Sequence, residues 1–192
     1  MKAIIVSSLF IASAALAAGT AKTTTTTTTT KTAAAPAAKA PAAGPNDAQI
    51  ASIVVTANTV DVEAGKLAET KTTNPEVKKF AEQMVTDHNS VNKQAVDLVT
   101  KLKVTPQDND TSKALKIGGD ANLATLKGLT GKAFDKAYVD HEVAYHQSVL
   151  DAVDHTLIPS AQNPELKALL VKVRPAFVAH LEHAKHVQSM VK

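Results

Sequence analysis

From Val77 onward, apolar residues recur along this chain at alternating steps of four and three, the spacing that keeps side chains on one face of an α-helix. Three segments show this pattern, and each apolar row contains one histidine. The rows are Val77, Ala81, Met84, His88, Val91, Ala95, Leu98 and Leu102; Val139, Val143, His146, Leu150, Val153 and Leu157; and Leu166, Leu170, Val173, Phe177, His180, Ala184, Val187 and Val191. We therefore predict three helices that turn these rows towards a shared core.

A fourth helix is predicted before these three. Its row has the same spacing and consists of Ile50, Ile53, Ala57, Val60, Ala64 and Leu67. Asn46 or Asp47 supplies a capping side chain at its start. The sequence Asn-Pro-Glu then occurs at 74–76 and again at 163–165, and asparagine followed by proline is typical of a helix N-terminus. Each repeat opens a helix almost directly after the preceding one, so we predict two antiparallel helical hairpins.

A long connection, residues 103–130, separates the two hairpins. It contains turn residues after Val104, the pair Gly118-Gly119 as an expected helix breaker, and a stretch suited to a short helix over 121–129. The sequence has no alternating β-branched run bounded by turn residues, so strands are not expected. We predict an all-α, ferritin-like four-helix bundle over 46–192, with its long connection between the second and third helices.

The first 45 residues differ in composition from the rest. Residues 1–17 combine Lys2, an apolar stretch and the small-x-small sequence Ala15-Leu16-Ala17, which is typical of a cleaved signal peptide, with a retained anchor as the alternative. Residues 18–45 contain only Ala, Gly, Thr, Lys and Pro, and so bury too little apolar surface to fold. We predict a signal peptide, a disordered low-complexity linker and a bundle in a periplasmic or secreted protein.

Charge distribution argues against nucleic acid as a partner. Of the 21 basic residues, 17 lie from Asn46 onward together with all 18 acidic residues, which leaves the predicted bundle with a formal charge of −1. A single arginine, Arg174, and few aromatic residues do not make the basic, aromatic face of a nucleic-acid binder. Lys22, Lys31 and Lys39 give the linker at most a weak contact with anionic cell-wall polymers or a membrane surface. No sequence feature identifies a protein partner.

The histidines within the apolar rows are the main candidates for chemistry. A rise of about 1.5 Å per helical residue places His88, His146, His180 and Glu63 within roughly 8 Å of one another along the bundle axis, in its middle third. Neutral imidazoles and a carboxylate are a common ligand set for transition metals. We predict that these four residues bind one transition-metal ion (Zn, Cu or Fe). Glu142 and His141 are second candidates.

Two alternatives to metal binding remain open. The three histidines can instead form a buried polar network that fixes the register of the helices, in a structural or interaction module of the cell envelope. A redox enzyme with an unconventional metal centre is the other. Di-iron oxidases use Glu-x-x-His, which does not occur here, and nucleophile and phosphate-loop motifs are also missing. The absence of cysteine excludes disulfides and c-type haem attachment. We therefore expect a non-enzymatic protein that serves envelope metal handling or stress protection.

Several separated motifs resemble one family. They are Val62-Glu-Ala-Gly-Lys-Leu-Ala68, Asn74-Pro-Glu-Val-Lys-Lys-Phe-Ala81, Met84-Val-Thr-Asp-His88, Ala133-Phe-Asp-Lys-Ala-Tyr138 and His180-Leu-Glu-His-Ala184. They are similar to the bacterial exported family 4142 of domains of unknown function, which is often labelled predicted outer membrane protein and grouped with ferritin-like bundles. The resemblance spans 47–190 and implies a ferritin-like fold and an envelope location. It marks Glu63, His88, His146 and His180 as family-type residues and implies no established activity.

Overall fold

The computed structural model describes residues 44–191. All secondary-structure elements in that range are helices. The elements are α1 (Asp47–Lys71), α2 (Pro75–Leu102), α3 (Asp110–Lys127), α4 (Gly131–Ala152) and α5 (Pro164–Met190). Helix α4 continues through a π-helical segment, Val153–Leu157, into a last turn, Ile158–Ser160. The predicted all-α class is confirmed for these residues. The predicted signal peptide lies outside them, and so does the predicted linker over 18–45 as far as residue 43.

Asparagine side chains begin the helices at the positions that the sequence predicts. Asn46 Oδ1 accepts a hydrogen bond from the Gln49 backbone N–H at 2.9 Å, and the Gln49 side chain accepts one from the Asn46 N–H at 3.1 Å. Asn74 and Asn163 each cap a helix whose first residue is proline, where a missing N–H needs no partner. Two of these caps close the short turns of the α1–α2 and α4–α5 hairpins.

The long helices form a closed ring, in which α1 contacts α2, α2 contacts α5, α5 contacts α4, and α4 contacts α1. Helix α3 lies outside the ring, against α1 and one edge of α4. Helix α1 therefore has neighbours on two opposite sides and buries a wider part of its surface than a bundle helix with one core face. Within residues 44–191, no helix is long and apolar enough to cross a membrane.

Helix α3 corrects one sequence expectation. Gly118 and Gly119 do not break it, and it starts at Asp110, well before the short helix expected over 121–129. Its start is fixed by Asn109, which exchanges capping hydrogen bonds with Ser112. The glycine serves packing instead, because a Cβ atom built on Gly119 would lie 2.6 Å from Val60 Cγ2 of α1. Gly119 thus allows α3 to approach α1 closely.

The two adjacent glycines should respond to alanine with opposite signs. We expect Gly119→Ala to lower the free energy of unfolding by about 1–3 kcal/mol, because the stiff Val60 side chain must move away. Gly118→Ala should raise it by about 0.5–1 kcal/mol, since no atom lies within 4 Å of the new Cβ and alanine favours the helix. Urea unfolding followed by circular dichroism measures both changes. Equal changes in the two variants would contradict the close approach of α3 and α1.

Candidate metal centre

Three histidines from three helices meet in the middle of the bundle. His88 of α2, His146 of α4 and His180 of α5 are 3%, 1% and 1% exposed. Their ring centroids lie 5.0 Å apart for His88 and His180, and 5.5 Å apart for each of the other two pairs. The three side chains therefore converge in the core, as the sequence predicts.

Each ring is held from outside the cluster by one hydrogen bond. Asn58 donates from Nδ2 to the Val54 carbonyl at 2.7 Å, which turns its Oδ1 towards His88 Nδ1, also at 2.7 Å. His146 Nδ1 lies 3.0 Å from the backbone carbonyl of Glu142 in the preceding turn. His180 Nε2 lies 2.9 Å from Asp87 Oδ2. Since these three partners accept hydrogen bonds, the nitrogens that face them carry the protons.

The other nitrogen of each ring therefore has a free lone pair. These atoms are His88 Nε2, His146 Nε2 and His180 Nδ1, and all three are buried without a hydrogen-bond partner among the described residues. One ring nitrogen of each histidine lies within 4.8 Å of a ring nitrogen of each of the other two. A tetrahedral site with metal–nitrogen bonds of about 2.0–2.1 Å needs a separation of roughly 3.4 Å between the nitrogens, so binding an ion would draw the three rings closer together. Outer hydrogen bonds that fix the tautomer are typical of metal-bound histidines.

A buried carboxylate completes the cluster, and it belongs to Asp61 of α1. Asp61 is 2% exposed, and its Oδ2 lies 3.3 Å from His88 Nε2 and 3.7 Å from His146 Nε2. With the protons on the outer nitrogens, two imidazole lone pairs face a carboxylate oxygen. Acceptors that face each other in a site shielded from water repel, unless a proton or a cation lies between them.

Electrostatics keep the imidazoles in the form that binds metals. Burial lowers the pKa of His88 to about 3, with a further decrease from the charge of His180 and an opposing increase from Asp87. Burial likewise lowers the pKa of His146 to about 4, against the effect of Asp61. Both rings are therefore neutral at pH 7, and neutral imidazole is the ligand form.

Glu142 of α4 lies close to both Asp61 and His146. Burial, the charge of Asp61 and a hydrogen bond with Asp61 together raise the pKa of the Glu142 carboxyl well above its usual range. The shift favours the protonated form of Glu142. One oxygen of Glu142 also lies 3.5 Å from His146 Nδ1. This predicted second candidate contacts the cluster through Asp61 and His146.

The structure does not bring two of the predicted residues into the cluster. Glu63 is exposed and lines a surface pocket with Lys116 and Asp120. The reason is helical geometry, because Glu63 is two residues after Asp61 and hence about 200° further around the axis of α1. His141 is half-buried and stacks on Tyr145 at a centroid distance of 5.5 Å. It is not part of the group formed by the three rings.

Sequence reasoning missed Asp61, Asn58 and Asp87. Helix α1 contains a second row at steps of three and four, and every member of it is buried. This row is Ala51, Val54, Asn58, Asp61, Gly65 and Ala68. Polar residues and glycine disguise it, whereas the more apolar row chosen from the sequence includes Val60, which packs against Gly119 of α3. The regular spacing of Asn58 and Asp61 within that row was the available signal.

The described residues thus define an all-α helical-bundle protein with three histidines and one carboxylate at its centre. A family model described as "Domain of unknown function (DUF4142)" matches residues 29–187. The chain belongs to this family, as its motifs predicted.

Comparison with solved structures supports the fold. A structure described as "CopM in the Cu(II)-bound form" matches with a TM-score of 0.60 and 16% sequence identity, over 77% of this chain and 100% of that chain. At this identity the likeness shows a shared fold. Among curated proteins, no relative matches the chain.

Proposed function

We propose that this protein binds one transition-metal ion through His88 Nε2, His146 Nε2, His180 Nδ1 and a carboxylate oxygen of Asp61. The proposal rests on three buried ring nitrogens without a hydrogen-bond partner among the described residues, two of which lie 3.3 and 3.7 Å from a buried carboxylate oxygen of Asp61. A cation removes the repulsion among these acceptors and uses all of them at once. Asn58, the Glu142 carbonyl, Asp87 and the Glu142 carboxyl act as the outer hydrogen-bond partners that hold the four ligands.

The donor set favours particular metals. Three neutral nitrogens and one carboxylate suit Cu(II) and Zn(II), and the general order of divalent affinities ranks both above Fe(II). A structure that shares this fold is described as Cu(II)-bound, which agrees with this choice of metals. We propose Cu(II) or Zn(II) as the metal.

The role that fits this site is envelope metal handling or stress protection without catalysis. The predicted signal peptide and the resemblance to an exported, ferritin-like family support a periplasmic or secreted location. Closed four-ligand sites leave no position for a substrate, which is the reason for proposing binding and not turnover. The alternative is a structural module of the envelope in which one proton, shared between Asp61 and a ring nitrogen, replaces the metal and the histidines only lock the bundle.

Metal titration separates these two functions. The full chain is purified without a histidine tag, stripped with a chelator and titrated with Cu(II), Zn(II), Ni(II) and Fe(II) against a competing dye. We expect one ion per chain with sub-micromolar affinity for Cu(II) or Zn(II). Affinity no tighter than micromolar for every metal would support the structural module instead.

The identity of the carboxylate ligand can be tested by a matched pair of substitutions. We expect Asp61→Asn to weaken metal binding by about 10–100-fold, because the amide keeps an oxygen at the site but lacks the negative charge. Glu63→Gln should leave affinity within about 2-fold, since Glu63 is exposed on the other side of α1. Both affinities come from the same competition titration. A larger loss in Glu63→Gln than in Asp61→Asn would reverse this assignment.

A further inference from the structure

An apolar cavity of about 120 Å³ lies next to the histidine cluster, between α1, α3, α4 and α5. Eleven of the fourteen residues that line it are apolar, and none is charged. Two of the three polar residues, Thr111 and Ser148, are exposed and stand at its rim. The third, Asn58, lies deeper and belongs to the row of α1 that holds the cluster. The cavity therefore has a polar mouth and an apolar interior.

The π-helical segment after α4 forms one wall of this cavity. Its two buried residues, Val153 and Leu157, both line the cavity. A π-helical turn contains an extra residue and is a costly departure from α-helical geometry, found frequently at functional sites. Here the wider π-helical turn lines the cavity. Val173 and Leu170 of α5 line the same cavity.

The interior of the cavity offers little to a water molecule. Buried water typically needs two to four polar partners. Each polar atom of the Asn58 side chain already makes one hydrogen bond, to the Val54 carbonyl at 2.7 Å and with His88 Nδ1 at 2.7 Å. The remaining inner lining consists of apolar groups such as Ile53 and Leu157. An uncharged apolar occupant gains dispersion contacts there that water does not replace.

The floor of the cavity supports the candidate metal centre. Phe177 lines the cavity and stacks on His88, with ring centroids 5.5 Å apart and an interplanar angle of 4°. Asn58 lines the cavity and accepts the hydrogen bond of the same ring. An occupant of the cavity would contact both residues that position His88, although its binding does not require a metal.

We propose that this cavity is a binding site for a small, uncharged apolar molecule or alkyl group of about the size of benzene. Dry apolar cavities of about 150 Å³ in protein cores bind benzene or xenon, so a cavity of this size and lining is sufficient. The absence of charged lining residues excludes ionised ligands of the same shape. The site is independent of the proposed metal function and can exist whether or not that function is correct.

Methyl NMR of the metal-free full chain tests this proposal with benzene as the probe and benzoate as its charged counterpart. Benzene should shift the methyl signals of Val153, Leu157 and Val173 in a saturable way, with a dissociation constant of about 1 mM. Benzoate should leave them unchanged at equal concentration. Absence of saturable shifts with benzene, or equal shifts with benzoate, would overturn the proposal.

A matched pair of substitutions, each replacing one alanine of α4 with leucine, locates the benzene-binding site. Ala152 lines the cavity, whereas Ala144, two turns earlier, is exposed and does not. Ala152→Leu should weaken benzene binding by at least about 10-fold, because three added carbons occupy the space. Ala144→Leu should leave it unchanged. Equal binding in the two variants would contradict the assigned cavity. If Ala152→Leu does not fold, the residue-specific shifts of the unmodified chain decide. Metal titration of the unmodified chain gives a separate answer on the proposed metal function.

Discussion

Replacement of His146 by alanine is expected to reduce the affinity for Cu(II) or Zn(II) by at least about 100-fold, or about 2.7 kcal/mol. The substitution removes one of four proposed ligands and leaves the other three in place. His146 is one of the two histidines that approach the carboxylate, with its Nε2 3.7 Å from Asp61 Oδ2. Changes in outer partners alone cost about 10–100-fold in metal sites, so loss of a ligand should exceed that range.

His155 provides the matched control for this substitution. Its Nδ1 lies 3.0 Å from the backbone carbonyl of Asp151, the same bond to the preceding turn that His146 makes to Glu142. His155 is exposed and is not one of the proposed ligands. We therefore expect His155→Ala to leave the affinity unchanged. Competition titration gives both affinities, and circular dichroism establishes that each variant is folded. Equal losses in the two variants would mean that the metal binds elsewhere on the chain.

Acidification is expected to destabilise the metal-free protein by about 2–3 kcal/mol between pH 6.5 and pH 4.5. In the unfolded chain, His88 and His146 take up protons near pH 6.5, whereas in the folded protein their pKa values are lowered to about 3 and about 4. The stability that depends on these neutral rings is present above pH 6.5 and is lost as the pH falls towards 4. The folded state then binds two fewer protons than the unfolded state at these sites.

Glu142 opposes this loss over the same interval. Its pKa is raised in the folded protein, so above pH 4.5 the folded state holds a proton that the unfolded state releases. Each proton of difference between the folded and unfolded states changes the free energy of unfolding by about 1.36 kcal/mol per pH unit, and Glu142 reduces the difference that the two histidines make. Urea unfolding at pH 7.5, 6.5, 5.5 and 4.5 measures the slope.

A double substitution tests the origin of the acid sensitivity. In His88→Asn/His146→Asn the opposing effect of Glu142 remains, together with the burial-lowered pKa values of His141 and His183, so the loss of stability on acidification should become smaller than in the unmodified protein. The matched control, His155→Ala/His186→Ala, removes two exposed imidazoles and should retain the slope of the unmodified protein. An unmodified protein whose stability does not change from pH 6.5 to pH 4.5 would contradict two buried, neutral rings.

The helices were predictable because their signals are local. Alternating steps of four and three identified the core faces of α2, α4 and α5, and the two Asn-Pro-Glu sequences located two helix starts to the residue. The same spacing, with helix rise, predicted that His88, His146 and His180 share one level of the bundle. A histidine in an apolar row lies on the core-facing side of its helix, whichever helix packs against that side.

The carboxylate of the site was not predictable in the same way. Selection of Glu63 assumed that the most apolar row of α1 faces the ring of helices. Helix α3 covers that side of α1 at Val60 and Gly119, and it does so because of a long-range contact that no local spacing reveals. The second row then faces the histidines, and Asp61 lies among them.

The amino-acid sequence by itself therefore determined where the four long helices begin, how they pair into hairpins, and which histidines enter the core. Only the tertiary structure decided which face of α1 supplies a ligand, which nitrogen of each imidazole carries the proton, and where a cavity remains beside the cluster. Helix periodicity and caps act within a few residues along the chain. Helix rotation, tautomers and cavities depend on contacts between residues tens of positions apart.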